Sequence, residues 1–372
     1  MKLLRVKANG FKNCEDCYTI DMVPKAKKMP EDLTYELQEV ASNLYVYNTG
    51  VFVGKNASGK TSALELLDWA YSILGDFRLE GKHGSYDGVQ LEIIFYDESC
   101  IYRYRTALKS DPNMSNKAIF VNQTLERKIY YKSYTKKIYW DDEFEKMKMP
   151  GELPEDTSIL FFTLKKRSAP AMYYNSEGQG ANTYAMLFKV LKHYQIGTEM
   201  LASVLRLFDT NVSALEMKDE HNYQLKFKGK EMIVSDRELI YLLSSGTTKG
   251  LLLYVMAIAA LQNGSALLVD ELENHFHKTL VENLIFLFKD PEVNRHGAVL
   301  LFTTHYCELL NFFNRHDNIW IAQTGPKVEL KNLAESYELR PDLIKSKRFY
   351  DNAFGTNVDY DALMDLKTRL TE

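Results

Sequence analysis

Cysteine is scarce in this chain. Four thiols in 372 residues cannot frame a fold of the kind that small secreted domains build from dense disulfides. Cys14 and Cys17 have the spacing of a metal or redox pair, but Cys100 and Cys307 do not repeat it; a coincidental pair is the reading. Long apolar runs are also missing. The longest, residues 251–261, has 11 residues, about half of the ~20 that a membrane helix needs. The N-terminal MKLLRVKANGFKN alternates and carries charge from its second residue, unlike a secretory leader. A cytoplasmic protein with no membrane partner is expected. Neither sign of charge dominates: 46 Lys and Arg stand against 50 Asp and Glu, a net charge of −4. Nucleic acid would therefore have to be met by a local patch. No internal repeat and no sustained heptad occurs. What is present is ordinary globular usage, 45% hydrophobic and 26% charged, which excludes wholesale disorder. The length suits two or three units, or one large α/β domain carrying an insertion.

Residues 2–8 and 18–22 alternate apolar and polar side chains as half-buried strands do. Gly10, Phe11, Lys12 and Asn13 form the break between them. Residues 45–53 are β-rich and run into a glycine loop. Helical spacing follows over 62–74, with Leu64, Leu67, Ala70, Tyr71 and Leu74 on one face. From about 81 to 140 the stretches GVQLEIIFYDE, CIYRYRTAL, KAIFVNQ and KIYYKSYTKKIYW favour β-branched and aromatic residues. They predict an antiparallel meander. Its tyrosines are read as half-buried in a sheet, with a stacking surface for nucleic acid as the alternative. Residues 147–158 form a loop, and 165–183 is the segment expected to move most. Helices are expected over 184–208, then a hairpin over 214–234 turning at Lys228, Gly229 and Lys230. After Asp236, helices alternate with strands at 265–270, 298–303 and 318–322. The first two of these strands are near-continuous apolar runs, as central parallel strands are when helices cover both faces.

The chemistry concentrates at four places. Gly54-Lys55-Asn56-Ala57-Ser58-Gly59-Lys60-Thr61 fits G-x-x-x-x-G-K-[ST] between a strand and a helix. Backbone N–H groups of such a loop converge on phosphate oxygens, aided by the partial positive charge of the helix N-terminus. Lys60 can neutralise the β- and γ-phosphates, and the Thr61 hydroxyl can ligate Mg²⁺. Asp270 and Glu271 end an apolar strand, and open parallel sheets bind ligands at such carboxyl ends. Asp270 would hold Mg²⁺ through water, and Glu271 would polarise an attacking water. His305 ends the next strand, 35 residues after Asp270, where it can bond a γ-phosphate and sense its loss. Ser244, Ser245 and Gly246 open a helix 24 residues before Asp270; such a turn is an anion-binding element or a simple N-cap.

This set of motifs resembles that of the ABC-type ATPase superfamily. There a phosphate loop, an L-S-G-G-Q-like signature, an apolar strand ending in Asp-Glu and a switch histidine follow in the same order. GKNASGKT, with Asn56, is similar to the branch of the SMC, double-strand-break-repair and OLD ATPases. In that branch a G-F-[KR]-N-like break helps to hold nucleotide, which would place Lys12 and Asn13 at the site. LSSGTTKG, LLVDELENHFH and LLFTTHYCELL look most like the stand-alone bacterial ATPases of OLD and abortive-infection type. His277 stands where that group often has a Leu-His-Pro histidine, although Lys278 replaces the proline.

The resemblance implies an α/β fold: an ABC-type P-loop head with a β-rich and helical insertion and no long coiled coil. Residues 1–80 and 236–325 would form the ATPase core, 81–235 the insertion and 326–372 a tail that docks on the head or on a partner. ATP and Mg²⁺ would be the ligands. Gly54, Asn56, Ala57, Ser58, Gly59, Lys60, Thr61 and Ser62 would hold nucleotide, Thr61 and Asp270 the metal. Lys60, Glu271 and His305 would act on the bound ATP in cis. Ser244, Ser245 and Gly246 would face ATP on the other protomer of a head-to-tail homodimer, or of a higher assembly.

Ser245 and Thr247 depart from the transporter signature, which favours the OLD-like branch. A glutamine loop is not identified among Gln90, Gln123 and Gln179. Lys60 and Ser244 are 184 residues apart, and that interval lacks the heptads of SMC proteins. Only about 50 residues follow Ala322, fewer than the nuclease domain of the larger OLD proteins. The expected function is an ATPase that controls a separate effector, a nuclease or toxin, in defence against bacteriophage. An SMC-like repair or chromosome-maintenance ATPase, which would touch nucleic acid, and a nucleotide-gated scaffold with almost no turnover are the alternatives.

Overall fold

Continuous apolar runs and alternating runs separate into two large sheets. The computed structural model describes residues 1–82, 84–114, 116–134, 137–164, 170–175, 182–274, 276–337, 344–351, 354 and 360–371. The strands begin with β1 (Lys2–Asn9), β2 (Tyr18–Asp21), β3 (Leu37–Ala41), β4 (Leu44–Tyr47), β5 (Thr49–Val53) and β6 (Gln90–Asp97). They continue as β7 (Cys100–Ser110), β8 (Ala118–Ile129), β9 (Glu145–Lys146), β10 (Ala171–Asn175), β11 (Val212–Met217) and β12 (Asn222–Phe227). The last are β13 (Lys230–Ser235), β14 (Ala266–Asp270), β15 (Val299–Thr304), β16 (Ile319–Thr324) and β17 (Val328–Asn332). The first helices are α1 (Pro30–Tyr35), α2 (Lys60–Gly75), α3 (Leu160–Leu164), α4 (Asn182–His193), α5 (Thr198–Phe208) and α6 (Asp236–Leu242). Then come α7 (Ser245–Asn263), α8 (Lys278–Lys289), α9 (Leu333–Ser336), α10 (Lys345–Tyr350) and α11 (Tyr360–Thr371).

The central sheet runs β10-β14-β15-β5-β16-β17. Its first five strands are parallel and β17 is antiparallel to β16. Strands β5, β14 and β15 are buried at every position, because both faces are covered. Phe52, Leu268 and Leu301 pack into the core shared with α2, while Val51, Val53, Leu267, Val269, Leu300 and Phe302 join the core of α4, α5, α7 and α8. Each such side chain contributes about 1.5–3 kcal/mol on burial. This is the α/β arrangement expected of a P-loop ATPase. The longest described helix, α7, has 19 residues, so the described residues contain no coiled-coil arm. No single described helix is long and apolar enough to cross a membrane.

The second sheet, β2-β1-β6-β7-β8-β9, is antiparallel throughout. It corrects the division at residue 80. Strand β1 pairs with β6 of the supposed insertion and carries β2 on its other edge, while β10, inside 81–235, is the edge of the central sheet. Strand pairing is decided by hydrogen bonding between distant segments, which no local pattern specifies. The run 45–53 is likewise split: β4 pairs with β3 and β5 enters the central sheet. The described residues of KIYYKSYTKKIYW are not a strand beyond Ile129. There Lys128 Nζ turns back to donate to the carbonyls of Lys137 and Trp140 at 2.9 and 3.1 Å, and Tyr139 folds over the sheet to donate to Asp21 Oδ1 at 2.6 Å. Tyr86, Tyr102, Tyr104 and Tyr130 are buried, as sheet-packing tyrosines should be.

The expected hairpin is a three-stranded β11-β12-β13 sheet. Its second turn is at Lys228 and Gly229, both at positive φ, the backbone a tight two-residue hairpin turn requires. Within the tail, Lys345 Nζ donates to Phe313 O at 2.8 Å and Phe354 is buried against the head, whereas residues 364–371 of α11 are exposed. Most of the segment 165–183 lies outside the described residues.

Candidate functional site

Strand β5 delivers the chain to Gly54 at the carboxyl edge of the sheet, and α2 departs from Gly59. Two glycines are required by their surroundings. A Cβ on Gly54 would lie 2.4 Å from Ser58 Oγ and 2.5 Å from Ala322 O. Gly59 has φ +91°, and its Cβ would lie 2.3 Å from a methyl carbon of Val328. The loop therefore closes tightly, with Lys55, Asn56 and Ala57 exposed and the hydroxyl of Ser58 buried without a partner among the described residues. Lys60 is buried, and its Nζ donates to Gly54 O and Lys55 O, both at 3.1 Å. Burial lowers its pKa, against the raising fields of Glu273, Glu271 and Asp270. An ammonium held by two carbonyls of its own loop is poised to exchange them for phosphate oxygens.

Asp270, at the end of β14, accepts from Thr61 Oγ1 at 2.9 Å and from Thr303 Oγ1 at 2.6 Å. Thr303 in turn accepts from the Glu271 N–H at 2.7 Å. That bond holds Glu271 in the left-handed region, φ 51°, a sparsely populated conformation for a glutamate. The Glu271 carboxylate accepts from Asn274 Nδ2, and its Oε1 lies 3.5 Å from His305 Nε2. The other ring nitrogen, Nδ1, is 3.3 Å from Lys60 Nζ. An ammonium only donates, so Nδ1 accepts and the imidazole proton sits on Nε2, facing Glu271. Lys60, Thr61, Asp270, Glu271 and His305 thus form one constellation at the carboxyl ends of β5, β14 and β15. Thr61 and Asp270 could hold Mg²⁺, which usually takes one or two protein ligands plus phosphates. No group of three or more His, Cys, Asp or Glu that could ligate a metal occurs among the described residues.

The remaining candidates are placed differently. Ser244 is the N-cap of α7, its Oγ accepting from Thr247 N at 3.0 Å. It stands at the corner where α6 and α7 meet at 114°. Ser244 and Ser245 are exposed and Gly246 half-buried; no hydrogen bond among the described residues joins them to loop 54–61. Lys12 pairs with Glu65 of α2. Asn13 reaches the loop indirectly: its carbonyl accepts from Val328 N at 2.8 Å, and Val328 packs against Gly59. The Ser62 hydroxyl bonds Cys14, whose thiol burial pushes up to about 11. His277 caps α8 through Nδ1, accepting from Thr279 N at 3.3 Å, and His275 lies outside the described residues. Gln90 lies in β6, and Gln123 is bonded to Tyr104, Thr157 and Ile159; neither belongs to the site. Gln179 lies outside the described residues.

Sequence reasoning missed Thr303, Glu273, Asn274 and Asn175, which stands opposite Asp270 in the β10–β14 register. Only Thr303 carried a signal, as a polar residue inside an apolar strand.

Residues 214–311 match the family described as AAA domain, putative AbiEii toxin, Type IV TA system. The match covers about a quarter of the chain and takes in the turn at Ser244, the acid pair and His305. It supports an AAA/ABC-type P-loop ATPase as the coarse class of this chain. The comparison with curated proteins finds no match.

Proposed function

We propose that this chain binds ATP with Mg²⁺ in the loop 54–61 and hydrolyses it, in an ATP-dependent head-to-tail dimer that controls a separate effector protein. The observation that carries the reading is the convergence on one carboxyl edge of a buried loop lysine, a threonine and a strand-end aspartate in hydrogen bond, and a glutamate beside a histidine. The unpartnered Ser58 hydroxyl and the close-packed Gly54 and Gly59 suit a phosphate cradle. Lys60 and the loop amides would bind the β- and γ-phosphates. Thr61 and Asp270 would hold Mg²⁺, which neutralises phosphate charge when bound. Glu271 would orient and deprotonate the attacking water, and His305 Nε2–H would bond the γ-phosphate. Within the superfamily, Ser245 and Thr247 in the signature turn favour a stand-alone OLD-like ATPase. The defence setting rests on that resemblance and on the toxin wording of the matched family; a nuclease or toxin partner and a cytoplasmic location belong to the same reading.

The test is Glu271→Gln. It keeps shape and leaves Lys60, Thr61 and Asp270 intact, so ATP binding should persist. Turnover should fall about 10²–10⁴-fold, as on loss of a general base. Hydrolysis at the wild-type rate would remove Glu271 as the base.

A further inference from the structure

We propose that Glu273 is a positioning residue that holds His305 at the phosphate loop through the His305 backbone amide. The proposal deepens the ATPase reading above and rests on it. Glu273 is only 4% exposed. Its Oε1 accepts from the His305 N–H at 2.5 Å, and its Oε2 is buried with no partner among the described residues. Burying an incompletely bonded carboxylate opposes folding, and a neutral side chain would fill the space without that penalty. Three hydrogen bonds fasten the turn after β14 to the end of β15. Glu271 N–H donates to Thr303 Oγ1, Leu272 N–H to Thr303 O at 3.1 Å, and His305 N–H to Glu273. Only the third reaches the histidine, which lies one residue beyond β15. Lys60 also feels the Glu273 carboxylate more than any other acid, so this charge lies beside the Lys60–His305 contact. Displacing a reacting group by about 1 Å can cost on the order of a hundredfold in rate.

The test is a double-mutant cycle with an exchange measurement. Glu273→Ala should lower the ATPase kcat about 10- to 100-fold while leaving the Kd for ATP within about threefold, because the loop and the hydrogen bonds from Lys60 to its two carbonyls are retained. Glu273→Gln, which keeps the acceptor oxygen, should recover most of kcat. Deuterium exchange of peptides spanning residue 305 should speed up in Glu273→Ala and not in Glu273→Gln. Adding Glu273→Ala to His305→Ala should cost nothing further, since both changes remove one function. Wild-type kcat in Glu273→Ala, a Gln variant as slow as Ala, unchanged exchange, or losses that multiply would each overturn the clamp. Should Glu273→Ala not fold, the Gln variant with the exchange data decides alone: fast exchange there refutes the proposal, and protected exchange with near-wild-type kcat supports it. Failure of the underlying reading looks different, because Lys60→Ala and Glu271→Gln would then both turn over ATP at the wild-type rate.

Discussion

Among the described residues Lys60 has no external counter-ion at bonding distance: its partners are two loop carbonyls and a ring nitrogen, with three carboxylates acting from further off. Such a lysine contributes little to holding the fold and much to binding phosphate. Charge-assisted hydrogen bonds are worth about 1.5–3 kcal/mol each, so Lys60→Ala should weaken ATP binding at least tenfold and abolish measurable hydrolysis. Titration with a fluorescent ATP analogue and a phosphate-release assay check both. Turnover surviving in this variant would leave the site without its main cation and the functional reading without its basis. The contrast with Lys12 is instructive. That lysine was expected at the nucleotide from resemblance alone, yet its ammonium is committed to Glu65, a contact visible only once β1 and α2 are packed together.

At the scale of elements, the phosphate loop is held from outside by β17. Gly59→Ala would place a methyl group on Val328 at a backbone angle that L residues rarely adopt. Overpacking of this kind costs about 1–3 kcal/mol. A lower urea midpoint together with weaker ATP binding is expected, whereas an unchanged midpoint would show that β17 yields freely. A second fastening lies between the segment after β2 and the start of β16. Arg315, buried, donates to Asp317 at 2.6 and 2.7 Å and to Asp32 at 2.7 Å, and Asp317 also accepts from Lys25 N and Ala26 N at 2.8 Å. Burial alone would raise the Asp317 carboxyl, but Arg315 and the two amides hold it below the usual carboxylate range. The stability it lends is therefore present above the unfolded value near pH 4 and is lost as pH falls through the lower folded value. Asp317→Asn leaves a buried guanidinium short of charge, which should cost about 3–5 kcal/mol. Urea melts at pH 7 and pH 3 check the sign: the gap between wild type and variant should narrow in acid. The ends of this clamp are almost 300 residues apart, and neither Arg315 nor Asp317 belongs to a motif.

The whole molecule leaves the Ser244 corner exposed, beside Tyr241 at 90% and Leu242 at 41% exposure. A helix N-terminus flanked by apolar side chains suits a surface that a second protomer covers. In the Glu271→Gln background, ATP should shift light scattering toward a dimer, and adding Ser244→Arg should reverse that shift by placing bulk and charge at the contact. If the Arg change leaves closure untouched, each subunit works alone. Small-angle scattering should report no extended arm, because β1 and β2 tie the N-terminus to the antiparallel sheet and, among the described residues, no long helical pair projects from it.

The amino-acid sequence by itself determined which residues make up most of the candidate site. Loop 54–61, the acid pair and His305 are legible because each is a short pattern whose meaning comes from an adjacent apolar strand or helix, and local periodicity reports those directly. Tertiary structure alone decided that β1 pairs with β6 and so joins β1 and β2 to the sheet of β6 to β9, that β10 lines the central sheet beside β14, and that Asn13 reaches the loop through Val328. It alone bonded Glu273 to the amide of His305, 32 residues away. Pairing between distant strands, and a side chain that serves a remote backbone, leave no periodic trace, because their partners are fixed only when the sheets close.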